Sequence, residues 1–336
     1  MVVNRAQEKG LTITPSDAVE PETKSTPAAL QQEAEAPNET LYLTGRPTLK
    51  RFIRFVKHQA VRPPNEATLI AEWQAAKERI RVLKKEQAGC ADDPVTTPVP
   101  IDAKYEPLLV EFLKDPLVQN NFNTVPTEIA FVELDSLVVY QKHIDLTFVR
   151  DLKKRLGPAP TDEELFRTCL PYDHPHPPAK WSRLGDNSFV FVSPSADMRF
   201  LRAMQLEAKH IKGYPHPGAL VGVVGLGVGF GSNFLNALRA ENRLILNNGS
   251  HRAYALRDMG FTHVPCVVQH VSNRDELDVV AAAAIRRDPD QFLKHPRPSM
   301  LKDYFNPELR KVMPSHRRLR QITVKFEIED AYVPAV

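Results

Sequence analysis

Six consecutive residues, Asn247 to Arg252 (NNGSHR), combine side chains that suit the binding of an anion. They follow an apolar stretch and precede a segment with helical composition, so they form the turn at the start of that helix. A helix N-terminus presents unpaired backbone N–H groups and a partial positive charge. Gly249 permits a close approach, Ser250 supplies a hydroxyl, and Arg252 supplies a guanidinium that matches phosphate or carboxylate. The pattern predicts an anion site. A capped helix with a surface arginine is the alternative.

Three further features near this turn could take part in chemistry. His251 is suited to donate to a phosphate or to act as an acid or base, with a structural cap as the alternative. The pair His174 and His176 lacks a fixed third ligand, so we predict no metal site. The glycine run 225–231 (GLGVGFG) matches neither the dinucleotide fingerprint nor the P-loop. We interpret it as tight packing or a mobile loop, and a role as a lid stays open.

The elements that must position the turn follow from hydrophobic periodicity. Segments 243–248 and 263–271 are predicted to be buried strands on either side of a helix that Gly260 ends, which together form an α/β unit. Upstream, 129–139 predicts a strand, and Asp145 caps the helix that follows. Further elements are predicted as a strand at 188–193, a helix from Ala196 to about Lys212, and a helix that begins after Ser232.

The turn and its flanks resemble the ParB/sulfiredoxin superfamily, in which a Gly-x-x-Arg turn at the start of a helix grips nucleotide phosphates. Gly249 to Arg252 match that turn, and Ala255 occupies a small position of the longer pattern. Segment 129–157, where Gln141 lies in a polar turn after the first strand, resembles the ParB opening box. The resemblance covers about 129–157 and 243–271. It implies an α/β (α+β) core with a mixed sheet and helices.

Three departures from the family pattern restrict the function. Ser250 stands where sulfiredoxin has its catalytic cysteine, so sulfinic-acid repair is not expected. Asn248 stands where the free serine kinases have an acidic residue. After Val271 the sequence predicts an alanine-rich helix from Asp275 to about Arg287, a proline-rich stretch and an end strand. Partition proteins instead continue into a helix-turn-helix, so chromosome partitioning is disfavoured.

The resemblance implies a nucleotide- or phosphate-binding protein, with phosphoryl transfer to a small molecule or nucleotide hydrolysis as its enzymatic forms. ATP or another nucleoside triphosphate, with Mg²⁺, is the implied cofactor. The residues assigned to the ligand are Asn248, Gly249, Ser250, His251, Arg252, Gln141 and His143. The residues assigned to catalysis are Glu133, Asp135, Asp145 and His251, with the carboxylates serving magnesium or a hydroxyl acceptor.

Two alternatives to this hypothesis stay open. In the first, the same turn grips a nucleic-acid phosphate, aided by the basic residues Lys50, Arg51, Arg54, Arg317, Arg318 and Arg320. A net charge of only +3 and the missing helix-turn-helix disfavour it. In the second, the protein retains the fold and is catalytically silent.

Composition and patterning predict a cytoplasmic protein with no membrane partner. The longest apolar run, 219–230, has 12 residues, whereas a membrane helix needs roughly 20. No secretory signal and no CxxC pair is present. We expect a disordered tail at 1–40, whose removal leaves the fold intact, and a helical region with a linker at 41–126. The core is expected at 127–272, with a long insertion at 158–242, and a C-terminal region at 273–336.

Overall fold

The computed structural model describes residues 38–92, 98–172, 176–195, 197–207 and 218–334. It contains both helices and mixed sheets, so the predicted α/β (α+β) class is confirmed. The chain divides into two compact units. Of the described residues, the larger unit holds those within 38–172 and 232–317, and the smaller unit holds those within 176–231 and 318–334.

The helices and strands follow one another in this order. The first part contains β1 (Asn38–Leu43), α1 (Leu49–Gln59), α2 (Glu66–Glu86), β2 (Val99–Pro100), α3 (Glu106–Leu113), α4 (Pro116–Asn121), β3 (Thr127–Glu133), β4 (Val138–Val139), β5 (His143–Asp145), α5 (Leu146–Leu156) and α6 (Asp162–Cys169). The second part contains β6 (Lys180–Arg183), β7 (Ser188–Ser193), β8 (Met198–Leu206), β9 (Val223–Phe230), β10 (Asn236–Ala240), β11 (Arg243–Asn248), α7 (Ser250–Asp258), β12 (His263–Val271), α8 (Arg274–Val280), α9 (Ala283–Arg287), α10 (Asp290–Leu293), β13 (Arg310–Ser315) and β14 (Arg320–Lys325).

A six-stranded sheet in the order β2-β3-β12-β10-β11-β4 forms the centre of the larger unit. β12 runs antiparallel to β3 and parallel to β10, and β11 runs antiparallel to β10 and parallel to β4. In β10, β11 and β12, 14 of the 20 residues are buried, mostly in uninterrupted runs of three to six. Such continuous apolar runs are typical of strands that are covered on both faces. The predicted strands at 243–248 and 263–271 are confirmed.

α1 and α2 form a helical pair within the region 41–126, where the sequence predicts helices. Thr48 caps α1 and Asn65 caps α2, each through a side-chain oxygen that accepts a backbone N–H. The apolar side of α2 is buried at Leu69, Ala76, Ile80 and Leu83.

A second sheet of the larger unit has three strands in the order β13-β1-β5, of which β1 precedes the helical pair in sequence and the other two follow it. Its pairing corrects one boundary of the predicted tail. Asn38, Glu39 and Thr40, which the sequence assigned to a disordered segment, belong to β1 and pair with β13. Their composition is polar, but their partners lie some 275 positions away in sequence, where no local pattern reveals them. Residues 1–37 lie outside the described part.

The smaller unit contains a three-stranded antiparallel sheet, β14-β7-β6, and a two-stranded ribbon, β8-β9. The predicted strand at 188–193 is confirmed as β7. The predicted helix from Ala196 to Lys212 is wrong, because 198–206 forms β8. The glycine run is not a loop. It lies largely in β9, where a Cβ at Gly225 or Gly229 would approach side chains of β8 to 3.0–3.1 Å.

Two more elements differ from the sequence predictions. Residues 231–235 form a loop that leads into β10, so the helix expected after Ser232 is absent from this described stretch. The predicted insertion at 158–242 is divided, because α6 and β10 belong to the larger unit while 176–231 belongs to the smaller one. The predicted alanine-rich helix is likewise split into α8 and α9, which Ala281 and Ala282 separate in extended conformations.

Candidate anion site at the start of α7

The strand–turn–helix predicted around 243–258 is present. β11 ends at Asn248, Gly249 occupies the N-cap position with a φ of 94°, and α7 begins at Ser250. Few residues other than glycine tolerate this left-handed conformation. A Cβ at this position would also lie 2.6 Å from Cδ1 of Leu235. Glycine is therefore required here both by the backbone and by the packing of the 231–235 loop.

Three backbone N–H groups at this helix end are free to bind a ligand. The amide of Gly249 donates to Oδ1 of Asn248 at 2.9 Å, and Nδ2 of Asn248 donates to the carbonyl of Ser232 at 2.7 Å. Within the described ranges, the amides of Ser250, His251 and Arg252 have no acceptor, and no side chain caps α7. The hydroxyl of Ser250 also has no hydrogen-bond partner there, although the residue is buried. Asn248 thus shapes the turn, while the next three residues supply donors.

The guanidinium of Arg252 does not face this group of donors as the sequence predicted. Arg252 is only 7% exposed, and its Nη1 donates to the carbonyl of Cys169 at 2.8 Å. Its Nη2 donates to the carbonyl and the side chain of Asn233. No carboxylate lies within ion-pair distance in the described part of the chain, and burial lowers the pKa of Arg252. Arg252 therefore has a structural role, and its terminal nitrogens already donate hydrogen bonds to protein oxygens.

The upstream segment around Gln141 does face the turn, as predicted. The rings of His143 and His251 lie 6.5 Å apart in an edge-to-face arrangement, and Nε2 of Gln141 lies 3.4 Å from Nε2 of His143. Burial, with a smaller contribution from the neighbouring His143, lowers the pKa of His251 to about 4. Burial also lowers the pKa of His143, against the opposing effect of Asp145. Both imidazoles are neutral at neutral pH and beside the free amides.

Three residues near this histidine pair, Phe148, Phe55 and Lys142, were not assigned to the site from the sequence, and Arg51 was named only as an aid to nucleic-acid binding. The ring of Phe148 lies 5.7 Å from that of His251, and Phe55 lies 5.5 Å from His143. Burial and the nearby Arg51 lower the pKa of Lys142, and neither cation has an ion-pair partner among the residues described. The basic face of α1 was a visible signal for Arg51. Nothing in the sequence placed that face beside His143.

The carboxylates assigned to catalysis do not converge on the turn. Oδ1 of Asp145 accepts from the amides of Thr147 and Phe148, so this side chain caps α5 as predicted. Asp135 forms a two-pronged ion pair with Arg257, at the far end of α7 from Ser250.

Glu133, the remaining candidate, pairs in register with His263 where β12 begins, beyond the C-terminal end of α7. A helix of nine residues separates both Glu133 and Asp135 from the free amides. No cluster of three or more metal-ligating side chains occurs in the described ranges, and these three carboxylates do not fit a shared magnesium site. Asp173 and His174 lie outside the described residues.

A buried amide network behind the turn fixes β11 to its neighbours. Nδ2 of Asn247 donates to Oδ1 of Asn236 at 2.8 Å, and Nδ2 of Asn236 donates to Oε1 of Gln269 at 3.1 Å. Oδ1 of Asn247 accepts from the amide of Ala282 at 2.8 Å, at the start of α9. The first asparagine of the NNGSHR sequence is therefore a structural residue.

Comparison with known proteins identifies no relative of this chain. No protein-family model matches the sequence, and no curated protein or solved structure matches it. Among the described helices, none combines the length and the apolar character needed to cross a membrane. The fold and the turn define an α/β protein with a strand–glycine–helix element whose first amides are free. The ParB/sulfiredoxin resemblance stays a prediction.

Proposed function

We propose that this protein binds a nucleotide, or another phosphorylated small molecule, at the start of α7, as the ParB/sulfiredoxin resemblance implies. The observation that carries the proposal is the set of free donors there. The amides of Ser250, His251 and Arg252 and the hydroxyl of Ser250 have no partner among the described residues. Consecutive free amides at a helix N-terminus are suited to phosphate oxygens.

The surrounding charges favour an anion over a cation. The partial positive charge of the helix end attracts an anion. In the same region of the chain, Lys142 precedes His143, and neither Lys142 nor the nearby Arg51 has an acidic partner in the described ranges. The carboxylate of Asp145, close to His143, is occupied by the amides of α5. A phosphate bound at the helix end would therefore replace no existing contact of the free amides.

A planar group on the ligand has a place beside the phosphate. Phe148 is 44% exposed, although its ring lies edge-to-face against His251. An exposed aromatic ring can stack on a nucleobase. This neighbourhood supports a nucleotide over inorganic phosphate.

The geometry supports binding better than phosphoryl transfer. Transfer or hydrolysis requires groups that hold magnesium and orient the attacking oxygen. Asp135 is paired with Arg257, and Glu133 lies beyond the other end of α7. His251 is the single member of the predicted catalytic set that lies at the free amides without another structural role. A nucleotide-dependent enzyme stays a hypothesis, as does a catalytically silent protein.

Calorimetric titration with ATP and with CTP, each with and without Mg²⁺, tests the proposal. The informative variant is His251→Glu, which puts a negative charge in the first turn of α7. There it repels a phosphate and suits the helix dipole, while burial of the new charge costs some stability, so the melting temperature is measured together with the affinity. We expect at least a tenfold loss of affinity. Ala284→Glu adds the same charge to the exposed side of α9 and serves as the control.

Two results would contradict the proposal. One is the absence of binding by the wild-type protein at millimolar concentrations of both nucleotides. The other is unchanged affinity in His251→Glu together with an unchanged melting temperature. Magnesium dependence of the affinity would show whether the ion accompanies the nucleotide, since no protein carboxylate cluster is proposed to hold it.

A further inference from the structure

The three-stranded sheet of the smaller unit has one face lined by aromatic and aliphatic side chains. Register places Trp181, Phe191 and Ile322 in one row across β6, β7 and β14. The next row contains Arg183, Phe189 and Val324. Residues two apart along a strand lie on the same side of a sheet, so both rows belong to one face. We call this surface, with Phe326 at its end, the aromatic face.

The apolar side chains of the aromatic face are accessible. Trp181 is 67% exposed, and Phe189, Phe191, Ile322, Val324 and Phe326 are each only partly buried. On the opposite side of β7, by contrast, Val190 is buried at 8% exposure. Exposed aromatic rings grouped in this way mark an interaction site more often than isolated exposed residues do.

The rings form a connected row. The ring centroids of Trp181 and Phe191 are 6.0 Å apart with planes inclined at 18°. Trp181 and Phe189 are 6.3 Å apart, and Phe189 continues the row to Phe326 at 6.3 Å and 23°. Neighbouring rings at different positions along a sheet can each receive a separate planar group. This arrangement fits a ligand that carries several planar groups in series.

The charge of the sheet identifies the ligand's other component. The 16 residues of β6, β7 and β14 include the four basic residues Lys180, Arg183, Arg320 and Lys325 and no acidic residue. Of these four, Arg183 alone has an acidic partner in the described ranges, Asp186 in the adjacent turn. Arg183 lies in the row of Phe189, and Arg320 lies two residues before Ile322, so both belong to the aromatic face and both are exposed. Lys180 and Lys325 are exposed on the opposite side of the two edge strands. The aromatic face thus carries two arginines.

We propose that the aromatic face binds single-stranded nucleic acid. Unpaired bases expose their planes, which stack on aromatic side chains, while lysines and arginines follow the phosphate backbone. A duplex hides the planes of its bases, so the site selects single strands. This inference concerns residues of the smaller unit alone and does not rest on nucleotide binding at α7.

Tryptophan fluorescence provides a direct test in the full-length chain. The protein has two tryptophans, and Trp73 is held by a hydrogen bond from its ring nitrogen to the carbonyl of Pro47. In Trp73→Phe, the emission therefore comes from Trp181 alone. We expect a single-stranded oligonucleotide of 12 thymidines to quench it in a saturable manner. An equal concentration of phosphate in duplex form should leave it nearly unchanged.

Variants separate stacking from charge. Trp181→Ala should weaken oligonucleotide binding in an anisotropy titration by roughly 10- to 100-fold, the effect of removing one base–aromatic stack. Tyr332→Ala removes a fully exposed aromatic ring outside the three strands and should change nothing. The double variant Arg183→Gln, Arg320→Gln should lower the slope of log affinity against log salt by about 1.4, which is roughly 0.7 per cation, whereas Lys180→Gln, Lys325→Gln on the opposite face should lower it by less.

The remaining outcomes overturn the inference. They are no quenching in low salt, equal losses in Trp181→Ala and Tyr332→Ala, or equal affinity for single-stranded and duplex forms. Sedimentation provides one further outcome. If the wild-type protein is a dimer that Trp181→Ala dissociates and the oligonucleotide does not, the aromatic face serves self-association instead. His251→Glu should bind the oligonucleotide normally, so failure at α7 is distinguishable from failure here.

Discussion

The guanidinium of Arg252 donates to the carbonyl oxygen of Cys169, the last residue of α6, at 2.8 Å. The same carbonyl accepts the amide of Leu235, also at 2.8 Å. Since Arg252 donates to Asn233 as well, one side chain connects α6, the 231–235 loop and α7. The arginine of the Gly-x-x-Arg turn thus positions the turn and leaves phosphate contact to the amides.

Arg252→Ala should therefore destabilise the protein. The substitution removes three hydrogen bonds and empties the buried space that the guanidinium fills between α6, the 231–235 loop and α7, and we expect a loss of roughly 2–4 kcal/mol in the free energy of unfolding. Arg252→Lys should recover only part of this, because one ammonium cannot reach all three acceptors. Urea denaturation measures the change. Arg287→Ala, at an exposed site on α9, is the control. Equal stability of both alanine variants would contradict the structural role.

Gly249 and Gly260 have nearly the same φ, so alanine substitutions at these two positions distinguish the cost of backbone strain from the cost of a steric clash. Gly249 has a φ of 94° and Gly260 one of 95°, but an added Cβ meets Leu235 at 2.6 Å only at Gly249. Gly260→Ala should cost about 1–2 kcal/mol from backbone strain alone. Gly249→Ala should cost about 1–3 kcal/mol more, because the loop at Leu235 must move. Thermal and urea unfolding of the two variants measure the difference, and identical losses would show that the loop gives way freely.

Acid should destabilise the protein through His251. Burial lowers the pKa of His251 to about 4, whereas an unfolded histidine titrates near 6.5. Below pH 6.5 the unfolded chain takes up the proton first, so stability present at neutral pH is lost as the pH falls towards 4. Allowing for the ring's partial contact with solvent, we expect a loss on the order of 2 kcal/mol between pH 7 and pH 4.5. His251→Gln should flatten this part of the profile of unfolding free energy against pH.

The strands and turn of the candidate site were predictable because their signals are local. β11, β12 and the Asp145 cap follow from apolar runs and capping residues that lie within a few positions of each other. The role of Arg252 was not predictable in this way, since its acceptors are 83 and 19 positions away. The same holds for Arg257, which binds Asp135 from 122 positions away and removes it from the site.

The errors in the smaller unit have a different cause. Met198 to Leu206 contains residues that suit a helix, and only pairing with β9 makes it a strand. The glycines of β9 signalled a special backbone, but they serve close approach by Met204 and Leu201 across the ribbon. Long-range strand pairing overrides local propensity in both cases.

Thiol reactivity should distinguish Cys90 from the other two cysteines. Cys169 and Cys266 are fully buried, and burial raises the pKa of Cys169 to about 12 and that of Cys266 well above its usual range. Both are protonated and inaccessible at neutral pH, whereas Cys90 is partly exposed. A colorimetric thiol assay should therefore titrate one thiol in the native protein and three in denaturant. Cys90→Ser should reduce the native value to zero, and a second fast-reacting thiol would contradict the burial of the site's supporting layer.

Removal of residues 1–40 should destabilise the larger unit, contrary to the expectation from composition. The deletion takes half of β1, including the buried contact between the hydroxyls of Thr40 and Ser315 at 2.8 Å. It also removes the carbonyl of Asn38, which accepts from Ser315 at 3.1 Å, and the amide of Glu39, which donates to Thr147. We expect the melting temperature to fall by about 5 °C or more, since a loss of 1 kcal/mol shifts a protein of this size by about 2–4 °C. Removal of residues 1–36 leaves every one of these contacts in place and is the matched control. If the two truncated proteins melt together, β1 contributes nothing before residue 41, and its first three residues do not stabilise the sheet.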